Sequence, residues 1–172
     1  MENSNPIIYF KPVDENSIEE VDANSLFYCE NRELNNTINQ VTKNDVYECI
    51  KDIIDPEYPL TLEQLNVVSL ENIIINHEEQ IIFVFFKPTV TSCSQASLIG
   101  LSLYYKLHTV FNKNFKIIIK VVKGTHDLED SINKQLKDKE RVHAALENPQ
   151  IYKTITKGLA NSDVWEDQSL LY

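Results

Sequence analysis

Apolar residues in the middle of the chain form two patterns, a continuous run and a helical repeat. The run at 80–86, QIIFVFF, has the length of a strand and is rich in β-branched and aromatic residues, and a Lys-Pro pair ends it. Ser92 and Gln95 form a capping-box pattern, and apolar residues recur at helical spacing after it. The pattern therefore predicts a strand, a tight loop and a helix in succession over 80–107.

Apolar patterns on both sides of this unit predict a first helix and two more strands. Apolar residues recur at helical spacing behind Asn44, the predicted N-cap, and this helix must stop before Pro56. Strand-like runs lie at 67–75 and 115–122. The run at 67–75 should form an antiparallel hairpin with 80–86. The run at 115–122 should be parallel to 80–86, because a helix connects the two. We therefore expect a mixed three-stranded sheet.

The C-terminal third of the chain predicts helices. Asp127 is the predicted N-cap of one long helix or two abutting helices that reach residue 148. Pro149 begins a final short helix, which Gly158 is expected to stop. The predicted fold is a small α/β (α+β) domain of order helix, strand, strand, helix, strand, helices, with the sheet packed against the helices.

Polar segments at both ends of the chain set the predicted domain limits. Residues 1–43 are rich in Asn, Glu, Asp and Ser and are predicted to be mostly disordered. Within them the apolar stretch NPIIYF at 5–10 is either a docking segment or an apolar patch near a free end. The acidic tail at 161–172 contains the only tryptophan, Trp165. Residues 44–160 remain as one domain, which suits a chain of 172 residues.

Charge and cysteine content narrow the classes of function. A formal net charge of −10 argues against direct binding of nucleic acid. Nine acidic residues at 45–79 and five lysines at 105–123 suit a protein partner of mixed polarity. No apolar run is long enough to cross a membrane, so we expect a soluble intracellular protein. Three cysteines without C-x-x-C spacing fit a reducing compartment and give no structural zinc pattern.

Cys93 lies at the joint between the predicted strand and the predicted helix. In the first turn of a helix, backbone N–H groups and the helix dipole favour a thiolate, which suits a nucleophile or a metal ligand. Cysteine is also often a small buried hydrophobe, and position alone leaves both interpretations of Cys93 open. Cys49 lies close to the apolar stripe of the first helix and is interpreted as a core residue.

Three polar residues are further candidates for a functional role. Asp55 and Glu57 lie in a rigid Asp-Pro-Glu-Tyr-Pro turn, where they either cap the turn or orient a ligand or a partner's lysine. His126 follows the third strand and either binds a metal through a neutral nitrogen or orders the loop.

The same residue types also suit an enzyme. Cys93 as nucleophile, His126 as base, and Asp55 or Glu57 as orienting acid would make a cysteine-dependent thiol hydrolase or acyltransferase. Against this alternative, the chain has only three glycines and no obvious loop for a phosphate or an oxyanion.

Three long stretches point to one family. DIIDPEYPLTLEQLNVV, FKPTVTSCSQASLIGLS and GTHDLEDSINKQLKDKERVHAALEN occur in this order, within about residues 44 to 157. Together they resemble the MIP-eighteen family, also called galla proteins, which are component-two proteins of cytosolic iron-sulfur assembly. By this resemblance the family's reactive cysteine is Cys93, its acidic turn is Asp55 and Glu57, a threonine of related bacterial proteins is Thr89, and its Gly-Thr-His element contains His126.

The resemblance implies an adaptor and not an enzyme. It implies a subunit that joins a WD-repeat propeller protein and a HEAT-repeat protein in a targeting complex, with a homodimer as a further possible assembly. The complex delivers four-iron-four-sulfur clusters to cytosolic and nuclear apoproteins, including enzymes of DNA replication and repair. The family is also associated with chromosome segregation. We therefore expect a cytoplasmic protein that also acts in the nucleus.

The ligand count bears on how such a cluster is held. A four-iron-four-sulfur cluster takes about four protein ligands, usually thiolates. This chain offers one well-placed sulfur, Cys93. We therefore expect no stably bound cofactor, and we expect Cys93 to be a transient cluster ligand in a relay or in a site shared with another protein.

Overall fold

The part of the chain that the structure describes contains five α-helices and three strands. A computed structural model describes residues 41–89, 95–111 and 114–160. In chain order the elements are α1 (Lys43–Lys51), a 3₁₀ turn (Leu70–Asn72), β1 (Ile73–Asn76), β2 (Ile81–Phe86), α2 (Ala96–Phe111), β3 (Lys116–Val121), α3 (Glu129–Lys137), α4 (Lys139–Glu147) and α5 (Pro149–Leu159). Within these ranges no helix is long and apolar enough to cross a membrane.

The sheet has the predicted mixed topology. Its strand order is β1-β2-β3, with β1 antiparallel to β2 and β2 parallel to β3. The predicted order of helices and strands is confirmed, and so is the α/β class. The predicted disordered segment 1–43 lies outside the described residues except for its last three, and the predicted tail 161–172 lies outside them entirely.

One face of the sheet forms the core with the helices. Every second residue of β2 and β3 is buried, as a strand covered on that face requires. These side chains belong to the same buried cluster as residues of α1 and α2. From the strands the cluster includes Ile73, Ile82, Val84, Phe86, Ile117, Ile119 and Val121, and from the two helices it includes Val46, Ile50, Leu103 and Leu107.

The first helix and the first strand begin at other residues than predicted. The N-cap of α1 is Thr42 and not Asn44, because Thr42 and Asp45 form a reciprocal capping box. The first strand begins at Ile73, six residues later than its predicted start. Before it, the chain passes through the 3₁₀ turn.

The C-terminal helices also differ from the prediction in detail. Asp138 separates α3 from α4, since its side chain accepts the N–H groups of Glu140 and Arg141. The prediction that Asp127 caps α3 is wrong, because the N-cap position is Leu128, which makes no side-chain cap bond. The helix predicted from Pro149 is confirmed as α5.

Gly158 does not stop α5 but lies inside its last turn. The Ile54 N–H donates to the Gly158 carbonyl at 2.9 Å. A Cβ atom at position 158 would lie 2.8 Å from the Ile54 carbonyl oxygen. Glycine is therefore required here by the close approach of two backbones.

Leu101 tests the assignment of the core face of α2. It is 7% exposed and lies beside Leu136 and Val142. We expect Leu101→Asp to lower the free energy of unfolding by about 4 kcal/mol or more, because it buries an unpaired charge. Circular dichroism and urea unfolding would measure the loss.

Val110→Asp is the matched control on the same helix. Val110 is 41% exposed, so this change should cost no more than about 0.5 kcal/mol. A Leu101→Asp protein as stable as Val110→Asp would show that the packing assignment is wrong.

Candidate functional site

The candidate site lies at the edge of the sheet where β2 and β3 both end. Because the two strands are parallel, their carboxyl ends meet at one edge, and the Val122 N–H donates to the Phe86 carbonyl at 2.9 Å there. The loops that follow the two strands therefore start side by side. In α/β sheets this is the edge at which ligands commonly bind.

The loop after β2 leads to the candidate cysteine. Pro88 and Thr89 follow β2 closely at this edge. Pro88 is buried, and Thr89 is half-buried. Cys93 itself lies outside the described residues, as does the predicted helix start at Ser92. The neighbourhood assigned to Cys93 therefore rests on the described ends of its loop, Thr89 and Gln95.

The loop after β3 is ordered around His126. The His126 side chain is 6% exposed, and its Nδ1 accepts the N–H of Leu128 at 3.0 Å. Its carbonyl accepts the N–H of Glu129 at 3.2 Å. The Glu129 carboxylate in turn accepts the N–H of Gly124, which has a φ of 77°. The ring and the backbone carbonyl of His126 therefore both hold this loop in place.

The hydrogen bond at Nδ1 fixes how the neutral ring holds its proton. A ring nitrogen that accepts an N–H has no proton of its own, so the neutral His126 ring has its proton on Nε2. A catalytic base between a cysteine and an acid uses both ring nitrogens, one toward the sulfur and the other toward the acid, so Nδ1 would have to release the Leu128 N–H. A metal at Nε2 would likewise require the proton to move to Nδ1 and the Leu128 bond to break.

Asp55 caps the acidic turn. Its Oδ1 accepts the N–H groups of Glu57 at 2.8 Å and Tyr58 at 3.0 Å, and its own N–H donates to the Leu60 carbonyl. These are the bonds of the capping role that the sequence left open. Glu57 is an exposed residue in the same turn.

The carboxyl group of Asp55 has an unusual environment. It is 5% exposed, and its Oδ2 has no hydrogen-bond partner among the described residues. Burial raises the pKa of Asp55 above its usual range, and the nearby Glu57 charge adds to the rise, while the two N–H bonds oppose it. The net direction is upward, so this carboxyl group holds its proton more tightly than an exposed aspartate does.

A short series of backbone hydrogen bonds joins the acidic turn to the end of β2. The Leu62 N–H donates to Ile53, the Val67 N–H donates to Leu62, and the Lys87 N–H donates to Val67, all at 2.8 or 2.9 Å. The Asp55 turn is thus fixed relative to the residues that lead into the Cys93 loop. Both side-chain hydrogen bonds of Asp55, however, stay within its own turn.

Metal ligands do not cluster in the described part of the chain. There, no group of three or more His, Cys, Asp or Glu residues is placed to hold a metal ion. Cys49 is half-buried on α1 and packs against the core, which confirms the prediction made for it. A metal role for His126 stays a prediction, and it would need ligands from outside the described residues or from another protein.

Two polar residues that support this edge were missed in the sequence. Glu129 holds the Gly124 amide, and the Asn133 side chain accepts the Val121 N–H at 2.8 Å on the free side of β3. The only sequence signal for Glu129 is an acid in the first turn of a helix. Asn133 gives no signal, because its partner is twelve residues away.

Comparison with known proteins identifies the family. The chain is 42% identical over 156 residues to "Cytosolic iron-sulfur assembly component 2B" of Dictyostelium discoideum, which covers 90% of this chain and 94% of the relative. It is 39% identical over 160 residues to the mouse protein of the same name, covering 93% and 91% of the two chains. It is 42% identical over 130 residues to "MIP18 family protein galla-2" of Drosophila melanogaster, covering 76% and 83%. No family model matches the chain.

The relatives show the class of protein to which the chain belongs. The chain is a small α/β domain whose candidate chemistry lies at the shared carboxyl edge of a parallel strand pair. It belongs to the MIP18 family, the MIP-eighteen family that its motifs resemble.

The raised pKa of Asp55 predicts a pH effect on stability. Because the folded-state pKa lies above the value of 3.8 taken for the unfolded chain, the stability that Asp55 contributes is fully present below pH 3.8. It is lost as the pH rises through the folded-state pKa. Asp55→Asn removes this titration but keeps an oxygen for the two turn amides.

The quantity to compare is the difference in unfolding free energy between the two proteins, wild type minus Asp55→Asn. We expect this difference to fall as the pH rises from about 3 to about 7. Urea unfolding at a series of pH values would measure it. A difference that rises with pH would mean that the N–H bonds, and not burial, dominate the pKa of Asp55.

His126 predicts a contrast between two substitutions. His126→Ala removes a buried side chain and the acceptor of the Leu128 N–H, a partly buried hydrogen bond, and should lower the free energy of unfolding by about 1–3 kcal/mol. In His126→Asn the side-chain oxygen can take the place of Nδ1, so this variant should recover part of the loss in urea unfolding.

The same pair of variants separates loop ordering from metal binding. If His126 orders the loop, His126→Asn should also recover the function that His126→Ala loses. Equal loss of function in both variants, despite the recovered stability of His126→Asn, would favour a ligand role for the ring.

Proposed function

We propose that this protein acts in cytosolic iron-sulfur assembly, as an adaptor that delivers four-iron-four-sulfur clusters to cytosolic and nuclear apoproteins. The observation that supports this most is the 42% identity, over 90% of the chain, to a protein named cytosolic iron-sulfur assembly component 2B. Similarity along nearly the whole length of both chains favours a shared role over a shared fold alone. Supply of clusters to nuclear enzymes would also link the protein to chromosome segregation.

In this proposal the cluster is cargo and Cys93 is its transient ligand. The loop that contains Cys93 starts beside the His126 loop at the carboxyl edge of β2 and β3, so a sulfur there would have rigid neighbours on one side. One thiolate supplies about a quarter of the ligands of such a cluster. The other ligands would come from the donor protein, the apoprotein or a second protomer, and the cluster would pass on when those ligands change.

The proposed partners are a WD-repeat propeller protein and a HEAT-repeat protein, together with the iron-sulfur apoproteins. The surface near the site offers both charge signs for such contacts. Glu57 is exposed beside the acidic turn, while Lys87 and Lys123 are exposed beyond the ends of β2 and β3. In this proposal the acidic turn and the lysines contact different partners. The cytoplasm is the main site of action in this proposal, with the nucleus as a second.

The adaptor proposal fits the His126 and Asp55 geometry better than the thiol-enzyme alternative does. His126 uses Nδ1 to accept a backbone N–H, and Asp55 uses Oδ1 to cap its own turn. A hydrolase of the Cys-His-Asp type would need both ring nitrogens of His126, one for the sulfur and one for the acid. Both side chains would have to leave their present hydrogen bonds to take catalytic roles.

The first experiment is affinity purification of tagged protein from its native cell, with bound proteins identified by mass spectrometry. We expect wild type to recover the propeller, the HEAT-repeat protein and iron-sulfur apoproteins. Cys93→Ala should keep the first two partners, because it removes one sulfur and no large surface. It should impair client maturation, measured as the activity and iron content of the recovered iron-sulfur enzymes.

Cys49→Ala is the matched control, since it removes a sulfur that packs against the core on α1. It should leave both partners and clients as in wild type. Absence of the two scaffold partners from the wild-type sample would overturn the adaptor role. Turnover of simple thioesters that Cys93→Ser abolishes would favour the enzyme. Full activity of Cys93→Ser in every assay would mean that the sulfur is inert.

A further inference from the structure

The side of the sheet that faces away from the helices is largely apolar. The residues of β2 that alternate with its core residues are Ile81, Phe83 and Phe85. The pairing places Ile74 of β1 on one side of Phe83 and Ile118 of β3 on its other side. We call the surface formed by these five residues the outer face.

The outer face does not belong to the core. Ile74 is 49% exposed, and the other four residues are half-buried. Neither the core cluster of the described residues nor the partly buried residues packed against it include any of the five. A contiguous apolar patch on a protein surface is often a place where something binds.

Lysines border the outer face on one side. Lys116 and Lys120 are exposed and alternate with Ile118, so they point to the same side of the sheet. In the register they lie opposite Ile81 and Phe85. An occupant of this surface should therefore combine apolar side chains with carboxylates.

The size of the outer face limits what can cover it. Three strands about 4.8 Å apart and about five residues long span on the order of 300 Å². A stable protein–protein complex buries about 800 Å² on each partner. The face therefore suits one short segment and is too small to hold a second copy of the domain by itself.

The chain contains a segment with the required chemistry. Residues 7–10 are Ile-Ile-Tyr-Phe, and the carboxylates of Asp14 and Glu15 follow shortly after. They are joined to the domain at residue 41, next to α1, which contacts β1. The connection is about 30 residues long, and a random coil of that length spans roughly 30 Å, about the diameter of a domain of this size.

We propose that residues 7–10 bind the outer face of their own chain, with Lys116 and Lys120 attracting the carboxylates that follow. The tether raises the effective concentration of the segment to the millimolar range, so a weak contact is enough. The five apolar residues supply burial, and the two lysines supply charge complementarity. The proposal is independent of the role of Cys93.

Photocrosslinking in the full-length chain tests this contact. A benzophenone amino acid in place of Phe10 would be activated by light, and the crosslinked peptides would be mapped by mass spectrometry. We expect crosslinks within one molecule to peptides that contain residues 81–85 or 116–120. Circular dichroism would confirm that each variant is folded.

Ile118→Glu is the main test variant and Val110→Glu is its control. Both place a carboxylate at an apolar residue that is not fully buried, but Val110 lies on α2 and is not part of the outer face. Ile118→Glu should reduce the crosslink yield about tenfold, the factor that corresponds to losing ~1.4 kcal/mol of apolar burial. Val110→Glu and Ile118→Val should leave the yield unchanged.

Lys120→Glu provides a second test that does not depend on the core, since Lys120 is exposed. It should lower the yield severalfold at low salt and less at high salt. Crosslinks between two molecules would overturn the proposal in favour of a dimer contact. Crosslinks to the helices, no crosslink at all, or a yield that Ile118→Glu leaves unchanged would overturn it as well.

Discussion

The parallel pairing of β2 with β3 is the constraint on which the rest of this structure depends. It brings two strand ends to one edge, and the bond from Val122 to Phe86 extends the pairing just beyond the strands. The loop that leads to Cys93 and the loop ordered by His126 can begin side by side only because of this direction. An antiparallel β3 would send the second loop to the opposite edge.

Around this edge, buried polar groups act within their own loops. Asp55 and His126 each accept backbone N–H groups a few residues ahead, so each stabilises a turn that has little regular secondary structure. Such hydrogen-bonded turns would suit the proposed adaptor role, in which Cys93 meets several partners in succession. They also explain why two residues with catalytic potential make no catalytic arrangement with each other in the described hydrogen bonds.

Much of the fold could be predicted because strong local signals bound each element. The long apolar runs of β2 and β3, and Pro149 at the start of α5, gave elements within a residue or two of those observed. The start of β1 could not be predicted from the local pattern. Val67, where the strand-like run begins, instead accepts the N–H of Lys87, a residue far away in the chain. The Asp-Pro-Glu turn was visible locally, but the burial of Asp55 depends on distant packing. For Cys93 the motifs give a position, and its surroundings lie outside the described residues.

Gly158 has a consequence for how this chain can change over evolutionary time. Because Gly158 has no side chain, the end of α5 can lie against the backbone at Ile54. Any larger residue at 158 would push the two segments apart. Adding or deleting one residue in α5 would rotate its end by about 100° and bring a different side chain into that gap. We therefore expect the exposed positions of the helix to vary in composition more readily than its length does. The contact at Gly158 therefore constrains the length of the last helix.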